Sequence, residues 1–310
     1  MLADEVLTMG RIGVDLYPEQ IGVPLRQVGT FRRFLGGSPS NVAVAAARYG
    51  RRAAVITRTG ADGFGDFLHD ALRDFGVDDR FVASVAGLPT PLAFCEIFPP
   101  DHFPLTFYRY PKAPDLEIRE SDLDFAAIRA AGVFWMTGTG LSAEPSRTAT
   151  LSALRARELT DHTVFDLDYR PMFWASRDEA RHWYAEALPM ATVVVGNLDE
   201  VETAVGVPHP EEAAARLIAA GPRLAVIKRG PAGVFAATAA ERVEIPPMKI
   251  ETLNGLGAGD AFGGALCHGL LAGWPLAETM RFAGVAGAIV ASRLSCSDAM
   301  PTEEEVRAHD

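Results

Sequence analysis

The strongest chemical signal lies in Asn254-Gly-Leu-Gly-Ala-Gly-Asp260, which precedes a helical pattern. The glycines at 255, 257 and 259 let several backbone N–H groups point at one anion at a helix start. A carboxylate at Asp260, in the first helical turn, would repel that anion unless the chemistry needs a proton acceptor. The combination therefore predicts phosphoryl transfer to an alcohol, with Asp260 as general base. The alternative is a glycine-rich turn in which Asp260 is only a favourable first-turn charge.

A second glycine turn, Gly36-Gly-Ser-Pro-Ser-Asn41, comes just before the first long helical pattern. Its last residue, Asn41, carries an amide that can hydrogen-bond hydroxyl groups. Asp15 lies at the end of the first predicted strand, at the edge of an open α/β sheet where ligands gather. A carboxylate and an amide together are typical of a site for sugar hydroxyls, whereas either residue alone is more often a cap or a turn residue.

Strand-like apolar runs alternate with helical patterns along most of the chain, and this alternation predicts the scaffold for these residues. The predicted strands are residues 5–14, 53–57, 133–137, 163–166, 192–195 and 224–228, and the predicted helices are 40–50, 64–76, 258–271 and 276–294. Such a pattern is typical of an α/β fold with a mainly parallel sheet covered on both faces. Residues 16–35 and 91–110 break the pattern with prolines and alternating apolar residues, which predicts a small β-sheet lid inserted in a single domain, 1–310.

The composition is that of an ordinary globular protein, with 48% hydrophobic and 22% charged residues among 310. It excludes a disordered, collagenous or coiled-coil chain. A net charge of −11 argues against general binding to nucleic acid or to an anionic membrane. The three cysteines lack metal-site spacing and the N-terminus lacks a signal-peptide pattern, so we expect buried thiols and a cytoplasmic protein.

Taken together, these motifs resemble those of the PfkB, or ribokinase-like, carbohydrate kinases along essentially the whole chain. Gly36 and Gly37 with Asn41 match the N-terminal signature of that family, and Gly257-Ala-Gly-Asp260 matches its C-terminal signature. The resemblance implies a ribokinase-like three-layer α/β sandwich, with a mainly parallel central sheet and a small β-sheet lid. It also implies an ATP- and Mg²⁺-dependent sugar kinase.

The same resemblance assigns roles to individual residues. Asp260 would be the catalytic base, and the amides of Gly257, Ala258 and Gly259 would form the anion hole. The substrate would lie against Asp15, Gly37, Asn41 and the lid.

Two further segments resemble nucleotide-binding parts of the family. Asn197-Leu-Asp-Glu200 is similar to its NxxE motif, which implies that Asn197 and Glu200 support the magnesium and phosphate network, with Glu200 acting on the metal indirectly. Lys228 with Gly230 and Gly233 resembles its KxGxxG segment, which places Lys228 near the phosphates. The alternatives are an ordinary helix cap at Asn197 and a solvated strand end at Lys228. The chain has no Gly-Lys pair and no GxGxxG fingerprint in 254–260, which disfavours P-loop enzymes and NAD dehydrogenases.

Two arginines indicate an acidic substrate. Arg109 in the predicted lid and Arg170 after a buried strand resemble the arginines of family members that act on keto-deoxy sugar acids. A guanidinium group can hold a carboxylate by two parallel hydrogen bonds. The alternative for each is an ion pair, for example with Asp166 or Asp168. Arg11 also flanks the predicted substrate residues, but nothing in the sequence fixes where its side chain points.

These observations favour phosphorylation of a primary hydroxyl of a small keto-deoxy sugar acid. The alternatives are a kinase of 2-keto-3-deoxygluconate or of a neutral sugar and, from another class, a non-catalytic sugar or nucleotide sensor. Many family members place an aspartate of a monovalent-cation site where this chain has Asn254, so we expect weaker potassium binding here. Lids of this family often form dimer interfaces, and the apolar residues 92–98 are compatible with a homodimer.

Overall fold

The computed structural model describes residues 3–309. The strands are β1 (Val6–Met9), β2 (Gly13–Pro18), β3 (Phe31–Gly36), β4 (Ala53–Gly60), β5 (Val77–Asp78), β6 (Val82–Val85), β7 (Leu92–Cys95), β8 (Leu105–Tyr108), β9 (Val133–Thr137), β10 (Thr163–Asp166), β11 (Val193–Asn197), β12 (Leu224–Lys228), β13 (Val234–Thr238) and β14 (Arg242–Ile245). The α-helices are α1 (Ser38–Arg48), α2 (Gly63–Asp74), α3 (Phe125–Ala130), α4 (Ser146–Ala156), α5 (Arg177–Ala187), α6 (Leu198–Val205), α7 (Pro210–Ala219), α8 (Ala258–Ala272), α9 (Leu276–Ala291) and α10 (Glu303–Arg307).

Ten strands form a large sheet in the order β14-β13-β12-β11-β10-β9-β1-β4-β5, with β6 paired to the second half of β4. The neighbouring pairs from β12 to β5 are parallel, and β13 and β14 are added antiparallel at one edge. Central strands such as β9 and β10 are buried along their whole length, as strands covered on both faces must be. The predicted mainly parallel α/β architecture is confirmed.

Helices cover both faces of the large sheet, and alternate residues of a strand enter two separate cores. On β9, Val133 and Trp135 join the core formed with α1, α2, α8 and α9. Phe134 and Met136 join the core on the other face, formed with helices α3 to α7. The molecule is therefore a three-layer sandwich, helix–sheet–helix, as the sequence predicted.

Helices α1 and α8 approach each other closely because glycines line their contact. A Cβ atom at Gly264 would overlap Ala45, and one at Gly263 would lie 2.9 Å from Cγ2 of Val42. Small residues at such positions let two helix backbones come together. The start of α1 is thereby brought against the start of α8, which joins the two glycine motifs of the sequence.

Four strands form a separate small sheet in the order β3-β2-β7-β8. Strand β2 pairs antiparallel with β3 and parallel with β7, and β7 pairs antiparallel with β8. The predicted small sheet outside the main one is confirmed.

The first predicted strand, residues 5–14, is wrong in its extent. The chain leaves the large sheet after Met9 and enters β2 of the small sheet at Gly13. The break falls at Gly10, where φ is +145° and a Cβ atom would lie 2.7 Å from Oγ1 of Thr137. Asp15 therefore belongs to the small sheet and does not end a strand of the large one.

The three cysteines, Cys95, Cys267 and Cys296, are buried and free, as predicted. Between residues 3 and 309, no helix combines the length and the apolar character that crossing a membrane requires.

Candidate active site

A small pocket lies between the carboxyl edge of the large sheet and the inner face of the small sheet. Its walls come from the segment after β1, from the small sheet, from the starts of α1 and α8, and from the segments that follow β10 and α9. The lining residues are Arg11, Asp15, Tyr17, Gly37, Ser38, Asn41, Ala93, Leu105, Phe107, Arg170, Leu256, Asp260 and Cys296. The structure thus brings together five of the residues that the sequence singled out: Asp15, Gly37, Asn41, Arg170 and Asp260.

The start of α8 presents unused backbone donors to this region. The amides of Gly257, Ala258 and Gly259 have no hydrogen-bond acceptor among the described residues, as is usual for the first turn of a helix. Gly257 has φ +83°, and a Cβ atom there would lie 2.5 Å from Sγ of Cys296, so only glycine fits. Free amides at a helix start are the kind of group that can bind an anion.

The carboxylate of Asp260 is held on both oxygens by residues of α1. Ser38 Oγ donates a hydrogen bond to Oδ1 at 2.7 Å, and Asn41 Nδ2 donates to Oδ2 at 2.8 Å. Burial raises the pKa of Asp260 above its ordinary value, while these two donors act in the opposite direction. Asp260 is thus an oriented carboxylate with an increased proton affinity, which are the properties of a general base. The sequence placed Ser38 inside a motif but gave no reason to expect this contact.

Asp15 faces the same pocket from β2. Burial, with the charge of Asp260, raises its pKa to about 7, although Arg11 acts to lower it. Its carboxylate lies over the backbone of Gly36, where any Cβ atom would collide with it. The neighbouring Gly37 has φ +101°, which favours glycine. The glycine turn at Gly36 and Gly37 therefore makes room for a carboxylate at the pocket wall.

Arg170 enters the pocket within a buried ion cluster centred on Asp168. Nη2 of Arg170 lies 2.8 Å from Oδ1 of Asp168, and Nη1 lies 3.4 Å from Oε1 of Glu200. Arg11 donates to the same Asp168 carboxylate from Nε at 3.2 Å and from Nη2 at 3.3 Å. Although burial acts to raise it, the two guanidinium groups hold the pKa of Asp168 below its usual value. The ion pair that the sequence offered as an alternative for Arg170 does form, but it lies in the pocket wall, with Asp168 buried and Arg170 partly exposed.

The structure does not bring Arg109 to this pocket. Its Nη2 donates to Oδ2 of the buried Asp115 at 2.7 Å, and its guanidinium lies 4.8 Å from the ring centre of Phe173. Arg109 lines a neighbouring groove of about 420 Å³, which shares Leu105 and Phe107 with the pocket. A carboxylate six residues further along the chain holds this arginine, and the sequence pattern gave no sign of that pairing.

The residues predicted for the nucleotide lie at the ends of β11 and β12. Asn197 and Glu200 form a reciprocal capping box at α6, in which Asn197 Oδ1 accepts from the Glu200 amide and Glu200 Oε2 accepts from the Asn197 amide. The cap that the sequence offered as an alternative is thus present. Gly230 and Gly233 both have positive φ and frame the turn after β12. They do not line the pocket that holds Asp260.

Lys228 links this turn to the start of α8. Its Nζ lies 3.3 Å from the position that a Cβ atom on Gly259 would take. Burial acts to lower its pKa, but the carboxylates of Asp166, Glu200 and Asp260 outweigh this effect and raise it. Lys228 is therefore a stable cation beside the free amides at the start of α8.

The fit to Mg²⁺ can be tested on the carboxylates of this edge. Both oxygens of Glu200 already have partners, whereas Oδ1 of the buried Asp166 has none. Burial raises the pKa of Asp166 to about 8, although Lys228 acts to lower it. In the part of the chain that the structure describes, no three His, Cys, Asp or Glu side chains form a metal cluster. These residues fit a magnesium ion held mainly by phosphates and water, with Oδ1 of Asp166 as the one unpartnered carboxylate oxygen of the two residues and Glu200 acting indirectly.

Asn254 also has both polar atoms occupied. Nδ2 donates to the Leu294 carbonyl at 2.6 Å, and Oδ1 accepts from the Leu256 amide at 3.1 Å. These bonds tie the segment before α8 to the segment after α9 and shape the turn that leads into α8.

Comparisons with known proteins agree on one family. A model of the pfkB family carbohydrate kinases matches residues 3–303. A 5-dehydro-2-deoxygluconokinase of Shouchella clausii (strain KSM-K16) is 34% identical over 309 residues, covering 98% of this chain and 94% of that protein. Another, of Clostridium tetani (strain Massachusetts / E88), is 32% identical over 311 residues, covering 98% and 91%.

Solved structures show the same fold. A putative Ribokinase II from E. coli in complex with ATP and Mg²⁺ matches with a TM-score of 0.89 and 23% identity, covering 99% of this chain and 98% of that one. A fructokinase with bound ATP from Xylella fastidiosa matches with a TM-score of 0.85 and 25% identity, covering 98% of both chains.

Proposed function

The chain belongs to the pfkB family of carbohydrate kinases and is a sugar kinase, and we propose that its acceptor is a small keto-deoxy sugar acid. The reaction would transfer the terminal phosphoryl group of ATP to the terminal primary hydroxyl of the acid. The best candidate is 5-dehydro-2-deoxy-D-gluconate, an intermediate of myo-inositol catabolism, because relatives at 31–34% identity over 98% of the chain carry the name of that kinase. The observation that carries the proposal is a pocket that holds both the oriented carboxylate of Asp260 and the guanidinium of Arg170.

In this mechanism Asp260 takes the proton of the acceptor hydroxyl as the oxygen attacks phosphorus. The free amides of Gly257, Ala258 and Gly259 stabilise the negative charge that develops on the transferring group. Lys228 adds a fixed positive charge beside them. Since the amides and the carboxylate belong to one helix start, the phosphoryl group and the base keep a constant relation to each other.

The acceptor would be held mainly by Asp15, Gly37 and Asn41. Oδ1 of Asn41 is buried and has no hydrogen-bond partner, so a substrate hydroxyl that donates to it would satisfy it. Nδ2 of Asn41 is already used by Asp260. Asn41 would therefore serve the substrate with one atom and the base with the other.

Kinases of this family use ATP, and here the nucleotide would lie along Asn197, Glu200, Lys228, Gly230 and Gly233. When bound, Mg²⁺ would neutralise charge on the phosphate oxygens. The protein residues that would face this ion are Asp166 and Glu200. Because Asn254 has no free polar atom, we expect little dependence on a monovalent cation.

A homodimer through the small sheet is part of the proposal. Tyr108 and Tyr110, at the end of β8, are 59% and 85% exposed, and large exposed aromatic side chains suit an interface. The proposal includes no nucleic acid or membrane partner.

The test is a panel of acceptors with ATP and Mg²⁺, followed by release of ADP. We expect kcat/KM for 5-dehydro-2-deoxy-D-gluconate to exceed that for 2-keto-3-deoxygluconate, fructose and ribose by about tenfold or more. Faster turnover of 2-keto-3-deoxygluconate or of a neutral sugar would replace the proposed acceptor with that compound. Stabilisation against heat by sugar and ATP without any ADP release would instead indicate a sensor.

A further inference from the structure

Arg11 is held in place through its backbone carbonyl and through its side chain. Its carbonyl oxygen lies 2.5 Å from the position of a Cβ atom on Gly37, so only glycine allows the close approach. Ser40 Oγ lies 3.5 Å from the same oxygen. The side chain passes 6.0 Å from the ring centre of Phe107 and reaches Asp168, where two of its nitrogens are bound. A guanidinium group fixed in this way keeps one orientation before any substrate binds.

One nitrogen of this fixed group is unused. Nε and Nη2 of Arg11 donate to Asp168, but Nη1 has no hydrogen-bond partner in residues 3–309. Only 11% of the side chain is exposed, and that part lines the pocket with Asp260. A largely buried cationic donor without an acceptor is unfavourable, so an anionic group on the ligand would be bound strongly here.

Both terminal nitrogens of Arg170 already have partners in the protein. Its Nη1 already donates to the carbonyl of Tyr169 at 2.9 Å and faces Glu200, while its Nη2 is paired with Asp168. Three groups therefore bind the terminal nitrogens of Arg170, whereas Arg11 hydrogen-bonds to Asp168, which it shares, and interacts with Asp15 and Asp260 only at longer range. Of the two arginines in the pocket, Arg11 is the one whose terminal Nη1 has no hydrogen-bond partner among the described residues.

The charges of the pocket also fix the direction of a sugar acid. Asp15 and Asp260 both face the pocket and would repel a carboxylate placed near them. The reacting hydroxyl must lie at Asp260 to lose its proton. The carboxyl group, at the other end of a short linear acid, then meets the guanidinium side of the pocket.

We propose that Arg11 is the residue that selects a sugar acid over a neutral sugar, by binding the substrate carboxylate through Nη1 while Asp168 holds its other side. This inference rests on the proposed function, since it requires an acidic acceptor. Asp168 acts as a positioning residue that fixes two guanidinium groups at once. Arg170 then serves as a second, weaker cation.

The experiment compares kcat/KM for the preferred sugar acid and for its neutral analogue, in which a hydroxymethyl group replaces the carboxyl group. It uses the wild type, Arg11→Gln, Arg11→Lys and, as a matched control, Arg26→Gln at an exposed arginine between β2 and β3. We expect Arg11→Gln to lower kcat/KM for the acid about 50-fold and for the neutral analogue less than threefold. Arg11→Lys keeps the charge but loses the fork, so we expect a loss of about tenfold for the acid. Arg26→Gln should match the wild type on both.

Equal losses of Arg11→Gln on both acceptors would overturn the inference, because Arg11 would then serve the chemical step or the fold. If Arg11→Gln does not fold, Arg11→Lys gives the answer: a selective loss on the acid supports the inference, and an unchanged ratio overturns it. Guanidinium ion added to Arg11→Ala should restore part of the activity on the acid alone. A wild type that does not prefer the acid at all would instead overturn the proposed function, which is a separate result.

Discussion

The candidate active site has two walls that are built differently. The wall formed by the large sheet and its helix starts carries charged groups bound to one another, such as Arg11, Arg170 and Asp168. The wall formed by the small sheet is mainly apolar, with Ala93, Leu105 and Phe107, and Asp15 is its one charged residue within the described pocket lining. The charged groups of the site therefore lie mostly on the wall of the large sheet, where ion pairs and backbone contacts hold them in a fixed geometry. The other wall offers shape, exclusion of water and one carboxylate.

The strongest test of this division is Asp260→Asn on the charged wall. The amide can still accept from Ser38, and a flip of the Asn41 amide lets its unpartnered Oδ1 accept from the new NH2 group. The new amide cannot take a proton, so we expect kcat to fall about 10³-fold with little change in thermal stability. Steady-state ADP release and a melting curve measure both. Asp15→Asn is the matched substitution on the other wall, and it should act mainly on KM. The division fails if Asp15→Asn lowers kcat as much as Asp260→Asn does.

Ser38→Ala tests whether the start of α1 orients and tunes the base. Burial raises the pKa of Asp260 and the Ser38 donor lowers it, so removal of the hydroxyl should raise that pKa further. Because the base must be ionised, the acidic limb of the kcat profile should move to higher pH, and kcat at neutral pH should fall about tenfold.

The control for this prediction is Ser292→Ala. This substitution also removes one hydrogen bond, from Ser292 Oγ to the Ile289 carbonyl at 2.7 Å. Ser292 lies at the end of α9 and does not contact Asp260 in the described hydrogen bonds. It should leave the pH profile unchanged. An unshifted acidic limb in Ser38→Ala would show that this serine only packs α1 against α8.

Arg109→Gln should have the smallest effect on catalysis. Arg109 neutralises the buried Asp115, whose Oδ1 already lacks a partner, so its loss should cost about 2 kcal/mol of stability. The ratio of kcat/KM for the acid and its neutral analogue should change less than twofold. Urea unfolding and the acceptor assay measure the two quantities. A large loss of acid preference would show that Arg109 leaves Asp115 for the substrate during turnover.

The parts of the site that could be predicted are those in which one segment forms the whole feature. The glycines of 254–260 and the carboxylate of Asp260 lie in one turn, so their joint chemistry follows from local geometry. The same holds for the capping box of Asn197 and Glu200, whose partners are three residues apart. The alternation of apolar runs and helical patterns was also enough to predict the three layers. A strand that is buried on both faces appears in the sequence as a nearly continuous apolar run.

Contacts between distant segments could not be predicted in this way. Ser38 is 222 residues from Asp260, and Arg11 is 157 residues from Asp168. For an arginine, a sequence gives the charge and the reach but not which of many carboxylates it meets. Arg109 and Arg170 were both predicted to bind the substrate, yet one is held by Asp115 outside the pocket and the other by Asp168 inside it.

By itself, the sequence determined the α/β layers, the small additional sheet, the glycine-rich helix start and the carboxylate beside it. These features depend on the periodic spacing of apolar side chains, on the positions of glycines, and on the order of residues within single turns. Only the tertiary structure decided that the chain leaves the large sheet at Gly10, that α1 holds Asp260 on both oxygens, and that Arg11 lies in the pocket with a free nitrogen. Each of these results from the close packing of segments far apart in the chain, where a glycine contact or a shared carboxylate sets positions that no local pattern encodes.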